Sequence, residues 1–183
     1  MNLKPITYNL KPNDGFTLIE TLIYGLLVSG MILISIIFSL EVSEGSQRAR
    51  AYQEVQHNAR MAVARIVQEI RAANDLNASD SIFGTSSGRL SLAHDDAGNN
   101  PTIFDVSGEA LRISRAGVAT TTLTSDLVRV TGLTFTNLSV SNRTKNIRIS
   151  LTVEHLNPDN ISIYAASTTM ESSAVIRNKS DLP

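Results

Sequence analysis

The sequence GFTLIETLIYGLLVSGMILISIIFSL, residues 15–40, carries a single ionisable side chain, Glu20. The residues after Gly15 would form a helix roughly 37 Å long, because each helical residue adds about 1.5 Å. The hydrocarbon core of a bilayer is about 30 Å thick. The stretch therefore predicts a helix that crosses a membrane, and it leaves open why a carboxylate lies near the start of that helix.

The composition of the whole chain limits its function classes. It has 183 residues, with 16 basic and 17 acidic side chains and a formal net charge of −1. This length fits one modest folded domain with accessory segments. The balanced charge gives no reason to expect a nucleic-acid partner, because such surfaces need excess Lys and Arg. The chain has no Cys, which excludes disulfides, thiolate metal ligands and cysteine nucleophiles.

A cleaved secretory signal is the main alternative to a membrane span for residues 16–40. The small residues Ser43 and Gly45 satisfy the cleavage rule of such signals and would give a mature chain that begins near Ser46. The apolar region of a secretory signal is usually about 7 to 15 residues long. The longer run in this sequence favours the membrane span.

The six residues GFTLIE connect a short, Lys-containing leader to the apolar run. This junction resembles that of bacterial type IV prepilins and type II secretion pseudopilins, where a Gly precedes the cut and a Glu lies five residues into the mature chain. The resemblance implies that prepilin peptidase, a membrane aspartyl protease, removes residues 1–15 by cutting between Gly15 and Phe16. The same enzyme would then methylate the amine of Phe16. A glycine suits the close approach of a protease to the backbone.

The resemblance also offers a role for Glu20. In this family the equivalent Glu is thought to pair with the N-terminal amine of a neighbouring subunit during filament assembly. Carboxylates within membrane spans are costly and usually partnered, so a neighbouring amine would offset the cost. The alternative is that Glu20 lies at the lipid interface, where the N-terminus of a helix favours an acidic side chain.

A second, amphipathic part of the helix is predicted to follow the span, over residues 41–76. Apolar residues recur there at spacings of three and four, and most of the charged side chains lie elsewhere around the helix. Arg65 and Glu69 are one turn apart and are expected to pair. The predicted apolar stripe consists of Tyr52, Val55, Ala59, Val63, Ile66, Ile70 and Ala73.

Residues 77–183 are rich in Ser, Thr, Asn and Gly, with short alternating apolar runs typical of strands. The run NIRISLTVEH predicts a half-buried strand whose apolar face is covered by the helical stripe. The predicted fold is α+β, a long N-terminal helix packed on a C-terminal antiparallel sheet, as the pilin resemblance also implies. Predicted strands are residues 89–93, 102–106, 110–114, 118–124, 127–138, 146–155, 161–168 and 173–177.

Candidate catalytic and metal-binding residues are sparse. The three histidines, His57, His94 and His155, are widely separated and show no ligand spacing. We therefore expect neither an enzyme nor a bound cofactor. The loop HDDAGNNP offers hard oxygen atoms that could bind calcium, and some pseudopilins bind calcium in this way. The spacing of its oxygen-bearing residues does not match an EF-hand loop. An ordinary polar turn is therefore favoured. The weak calcium candidates are Asp95, Asp96, Asn99 and Asn100.

Three softer segments point to the J or W type of minor pilin or pseudopilin. They are the arginine-bearing helix QHNARMAVARIVQEIRAAN, the strand GLTFTNL and the closing SAVIRN. The resemblance implies a single-pass protein of the inner membrane with a cytoplasmic N-terminus and an outer β-domain, which joins a type IV pilus-like filament. Implied partners are prepilin peptidase, major and other minor pilins, the inner-membrane assembly platform and the lipid bilayer. The alternatives are a type II secretion pseudopilin or an anchored binding domain that never polymerises.

Overall fold

The computed structural model describes residues 15–140, 145–157 and 159–176. The chain divides into two compact units, Met1–Ser43 and Glu44–Pro183. One helix, α1, comprises the 55 residues Leu18–Ala72. The helix predicted over residues 16–76 is thereby confirmed, with a start two residues later and an end four residues earlier than predicted. The predicted leader, apart from Gly15, lies outside the described residues.

Within the second unit, α1 buries one apolar stripe against the sheets. Six of the seven predicted stripe residues are buried, with 5% exposure or less. The prediction is wrong for Tyr52, which is 43% exposed, because Ala51 takes that place at 3% exposure. Ala51 lies four residues before Val55, and this spacing keeps it on the buried face of a helix with 3.6 residues per turn.

Two antiparallel sheets cover this stripe, where the sequence predicted one. The first has five strands in the order β1-β2-β3-β4-β5, and the second has three in the order β6-β7-β8. The first sheet contains β1 Asp75–Leu76, β2 Leu90–Ala93, β3 Thr102–Ser107, β4 Ala110–Arg115 and β5 Val118–Thr122. The second contains β6 Val128–Asn137, β7 Lys145–His155 and β8 Ser167–Ile176.

Strand β7 is the centre of the second sheet, where it pairs with both β6 and β8. Its alternation confirms the prediction, because its four inward apolar side chains are fully buried while the residues between them are not. This is the pattern of an antiparallel strand with one face on a core. The four buried residues are Ile147, Ile149, Leu151 and Val153.

The two sheets are joined through β6. Gly88 N–H donates to Leu133 O at 2.8 Å, and Leu133 N–H donates to Ser86 O at 2.8 Å. At the tip of the β3–β4 hairpin, Glu109 O accepts from Val130 N–H at 2.7 Å. The segment before β2 and this hairpin tip therefore close one edge of the second sheet with backbone hydrogen bonds.

The predicted strand over residues 161–168 is wrong at its start. Residues Ser162–Tyr164 form a 3₁₀ helix, which the side chain of Asn157 stabilises by donating to Ile161 O at 2.8 Å and accepting from Ile161 N–H at 3.0 Å. The predicted strand over residues 173–177 is the second half of β8, except Arg177, which lies outside the described residues. The other six predicted strands match β2–β7 to within two residues.

Two polar networks connect α1 to the strands. The predicted pair of Arg65 and Glu69 is confirmed at 2.8 Å, and Arg115 on β4 adds a second ion pair to the same carboxylate at 2.6 Å. Asn58, only 7% exposed, accepts a hydrogen bond from Ser125 N–H at 2.9 Å. Buried polar groups of this kind need such partners, and these contacts fix how the helix lies on the sheets.

Candidate functional site

The start of α1 holds the residues that the sequence singled out. Gly15, Phe16 and Thr17 precede the helix, which begins at Leu18. Phe16 is 73% exposed. The peptide bond between Gly15 and Phe16 therefore lies before the helix, next to an exposed side chain.

The described structure leaves space for a side chain at position 15. A Cβ built at Gly15 would meet no atom within 4 Å. Close packing by neighbouring residues, one usual reason for a glycine at a defined position, is therefore not seen at this position.

Thr17 caps the helix. Its Oγ1 accepts a hydrogen bond from Glu20 N–H at 3.3 Å, and its carbonyl accepts from the same N–H at 3.1 Å. The order Thr-Leu-Ile-Glu is that of a capping box, in which a Thr at the N-cap satisfies the amide three residues on. Glu20 is thus in the first turn, where the partial positive charge of the helix end favours a carboxylate.

The Glu20 carboxylate has one described hydrogen-bond partner. Tyr24 Oη, one turn further along, donates to Glu20 Oε1 at 3.3 Å. The Tyr24 ring also contacts Phe16 edge to face, with 6.2 Å between ring centroids. A carboxylate has about four acceptor positions, so Glu20 keeps capacity for a further donor. No basic side chain of the described residues forms an ion pair with it.

Tyr24 was not predicted as part of this site. The signal in the sequence is that Tyr24 lies four residues after Glu20, because side chains four residues apart lie on the same face of a helix. Through Tyr24, the exposed Phe16 and the carboxylate of Glu20 are held on one side of the first two turns. These three side chains form the first-turn cluster.

The apolar part of α1 exposes its hydrophobic side chains on all sides. No residue of its most apolar 18-residue window is buried. Three hydroxyls within it are satisfied by the helix itself, since Thr21, Ser29 and Ser35 donate to backbone carbonyls at 2.8–2.9 Å. This helix is long and apolar enough to cross a membrane, and internal satisfaction of polar groups is what a bilayer core demands.

The loop with the weak calcium candidates is occupied by its own hydrogen bonds. Asp96 Oδ1 accepts from Gly98 N–H at 3.1 Å, and Asp96 Oδ2 accepts from Asn99 Nδ2 at 2.8 Å. Asp96 caps the 3₁₀ helix Ala97–Asn99. Among the described residues no three His, Cys, Asp or Glu side chains gather as metal ligands would.

The three histidines lie apart. His57 is exposed on α1, and His94 follows β2. His155 ends β7 and stacks on Tyr164, with 5.7 Å between the ring centroids. Tyr164 Oη in turn donates to Gln47 Oε1 on α1 at 2.7 Å. His155 thus contacts the loop that follows β7, and no described carboxylate forms an ion pair with it.

Comparisons with protein-family models, with curated proteins and with solved structures give no match for this chain. Its long apolar N-terminal helix and its antiparallel sheets are compatible with the pilin-like fold that the junction at Gly15 implies.

Proposed function

We propose that this chain is a prepilin-like protein that is inserted in the inner membrane, cut between Gly15 and Phe16, methylated at Phe16 and assembled into a type IV pilus-like filament as a minor subunit. The observation that carries the proposal is the junction itself, in which Gly15 directly precedes an exposed Phe and a capped apolar helix with Glu20 in its first turn. A peptidase that reads this junction would account for a Gly followed by a Phe at this place.

The first-turn cluster supports an assembly role for Glu20. Its carboxylate accepts from Tyr24 and has capacity for one more donor, which a methylated amine of a neighbouring subunit would provide. An amine is also the group that offsets the cost of a carboxylate within a membrane span. The proposal also includes a position. The second unit, Glu44–Pro183, which we call the outer unit, would lie beyond the membrane, and the leader would lie in the cytoplasm.

A type II secretion pseudopilin is the nearest rival, because the same junction and helix serve both machines. A single-pass anchored domain that does not polymerise is the second candidate. The capping of α1 by Thr17 favours it, since a Glu in the first turn also has a purely local role. Such an anchor has no need of Gly15.

Processing in cells that contain prepilin peptidase tests the proposal. Mass spectrometry of the membrane fraction should find a chain that begins at Phe16 and carries one methyl group. Gly15→Leu should leave the precursor uncut, whereas the matched variant Gly25→Leu, at another glycine with no atom within 4 Å of a built Cβ, should be cut normally. An intact leader in the wild type, or a mature start near Ser46, would refute the assignment.

A further inference from the structure

Residues 41–46 of α1, which we call the joint, are helical without support from the described strands. All six residues of the joint are exposed. The chain divides into its two compact units within the joint, between Ser43 and Glu44. The first buried side chain of α1 is Ala51, beyond the joint. Packing against the sheets therefore does not hold these six residues in a helix.

The joint also lies outside the apolar run. That run ends at Leu40, and two carboxylates, Glu41 and Glu44, follow it. Charged side chains avoid the hydrocarbon core of a bilayer, so the joint is placed in water when residues 16–40 are in lipid. On its other side, Gln47 Oε1 accepts a hydrogen bond from Tyr164 Oη at 2.7 Å. The joint thus separates a part of α1 that lipid supports from a part that the outer unit supports.

The residue types of the joint favour a helix weakly. Its sequence is Glu-Val-Ser-Glu-Gly-Ser. Glycine is the least favourable residue in the interior of a helix apart from proline, and serine and valine rank below alanine, leucine and lysine. Isolated helical segments of this length are unstable in water. The helix at the joint therefore depends on its continuation at both ends.

The charges of the joint do not compensate for this weakness. Glu41 and Glu44 are three residues apart, so two like charges lie on neighbouring positions of one helix face. Arg48 follows Glu44 by four residues, a spacing that allows an ion pair. The ion pairs of the described residues nevertheless include none of these three side chains.

Two other glycines of α1 have a different setting. Gly25 and Gly30 lie within the apolar run. An opened helix there would leave backbone N–H and C=O groups without partners in hydrocarbon, which is costly. At the joint, water can bind the opened groups. Local opening of α1 is therefore confined to the joint, although the apolar run also contains glycine.

We propose that the joint is a hinge, at which α1 opens locally while the helix on either side persists. Opening breaks the hydrogen bonds that the amides of residues 45–50 donate to the carbonyls of the joint, four residues earlier. The hinge lets the outer unit turn without displacing the span from the bilayer. The inference rests on one part of the proposed function, the placement of residues 16–40 in a membrane, and holds whether or not the chain enters a filament.

Hydrogen exchange of the full chain in detergent micelles, resolved by NMR, tests the hinge. The amides of residues 45–50 should exchange at least about tenfold faster than those of Ile66 and Ile70, because local openings cost less free energy than global unfolding. The amides of the apolar run should be protected as well. Gly45→Ala should slow exchange at the joint about fivefold, the effect of the higher helix propensity of alanine.

Gly30→Ala is the matched control for Gly45→Ala. A Cβ built at either glycine would meet no atom within 4 Å, so neither variant is expected to disturb packing. Gly30→Ala adds the same methyl group within the apolar run and should leave exchange at the joint unchanged.

Limited proteolysis gives an independent measurement of opening. A protease that cuts after Glu needs an extended backbone, so it should cut first after Glu41 or Glu44. It should cut later after Glu54, whose Oε1 accepts from Asn58 Nδ2 at 2.8 Å and from Ser125 Oγ at 3.3 Å. Mass spectrometry of the released fragment identifies the cut, and Gly45→Ala should slow it.

Three results would overturn the hinge. One is equal protection of the joint and of the amides of Ile66 and Ile70. Another is exchange at the joint that Gly45→Ala leaves unchanged. The third is exchange of the apolar run as fast as that of the joint. This last result would refute the membrane placement itself, whereas the first two would refute the hinge and leave that placement intact.

Discussion

Glu69 on α1 accepts a hydrogen bond from Arg115 on β4 at 2.6 Å, across 46 residues of sequence. The same carboxylate pairs with Arg65 on its own helix at 2.8 Å. The side chain of Glu69 is 11% exposed, that of Arg115 is 24% and that of Arg65 is 38%. The two ion pairs therefore share an acceptor but differ in shielding from solvent.

We expect Arg115→Met to lower the free energy of unfolding of the outer unit by about 2 kcal/mol, because a hydrogen bond to a mostly buried carboxylate is lost. The matched variant Arg65→Met removes a more exposed pair one turn away and should cost less than about 0.5 kcal/mol. Urea denaturation of a protein that begins at Ser46, followed by far-UV circular dichroism, gives both values. Equal losses would show that Arg115 does not join helix to sheet.

A protein that begins at Ser46 should itself be soluble and fold cooperatively. It retains the buried stripe of α1 from Ala51 to Ala73 and both sheets, and it lacks the exposed apolar part of the helix. A protein that begins at Asp75 lacks the stripe, so the buried faces of β6 and β7 meet water and aggregation should follow. Size-exclusion chromatography separates the outcomes, and equal solubility of the two proteins would contradict the helix-on-sheet core.

Glu20→Ala tests the first-turn cluster. The variant should be cut at Gly15 and reach the membrane at normal levels, since removal of a charge does not hinder insertion. If a neighbouring amine pairs with Glu20, its loss leaves that amine unpartnered at a cost of about 3–5 kcal/mol, and the subunit should be depleted from sheared filaments. Glu20→Asp should be intermediate because its arm is shorter.

Tyr24→Phe is the matched control for Glu20→Ala. It removes the one described donor to Glu20 Oε1 and keeps the aromatic contact with Phe16. Filament incorporation close to that of the wild type is expected, because the carboxylate remains to bind the amine. Quantitative immunoblots of the filament and membrane fractions measure this. Normal incorporation of Glu20→Ala would instead make Glu20 a local group of the helix start.

Gly88 should tolerate no side chain. A Cβ built there would lie 2.9 Å from Leu133 O and 3.0 Å from Phe135 Cδ2, so Gly88→Ala forces the segment away from β6 and should destabilise the outer unit by about 1–3 kcal/mol. Gly98→Ala is the control, because its nearest contact is an ordinary 3.6 Å to a carboxylate. Thermal unfolding compares them, and a Gly88→Ala protein as stable as the control would rule out this close approach.

The ion pair of Asp75 with Lys145 predicts a pH dependence. The hydrogen bond from Lys145 lowers the pKa of Asp75 below its ordinary 3.8. A carboxyl whose pKa is lowered by folding stabilises the fold above 3.8, and this contribution is lost as the pH falls through its folded-state pKa. Lys145→Met should therefore make the stability of the outer unit less sensitive to acid between about pH 5 and pH 3. Identical acid profiles of wild type and variant would count against the pair.

The sequence predicts those elements whose signal is local. The second half of α1 and the strand β7 follow from periodicity, because each presents one continuous apolar face. The first half of α1 follows from its uninterrupted apolar run. The division of the strands into two sheets does not, since no local pattern shows that the consecutive strands β5 and β6 do not pair with each other. The 3₁₀ turn before β8 was also missed. The alternation in residues 161–168 resembles a strand, and the two hydrogen bonds between the Asn157 side chain and the backbone of Ile161 are not visible in the sequence.

The candidate site divides in the same way. Gly15, Phe16 and Glu20 were singled out from the resemblance at the junction. The order Thr-Leu-Ile-Glu is itself enough to predict that Thr17 caps the helix. The hydrogen bond from Tyr24 to Glu20 depends on the rotamers of both side chains, and sequence spacing does not specify rotamers.

The central place of β7 has a consequence for the timing of biosynthesis. The buried stripe of α1 is complete at Ala73, but the strand that supplies four buried side chains ends only at His155. Roughly 80 residues at about 5–20 residues per second separate the two, a delay of about 4–16 seconds. A newly made chain therefore exposes the apolar face of α1 for several seconds before β7 is available to cover it, and apolar surface that is exposed in this way is prone to aggregation.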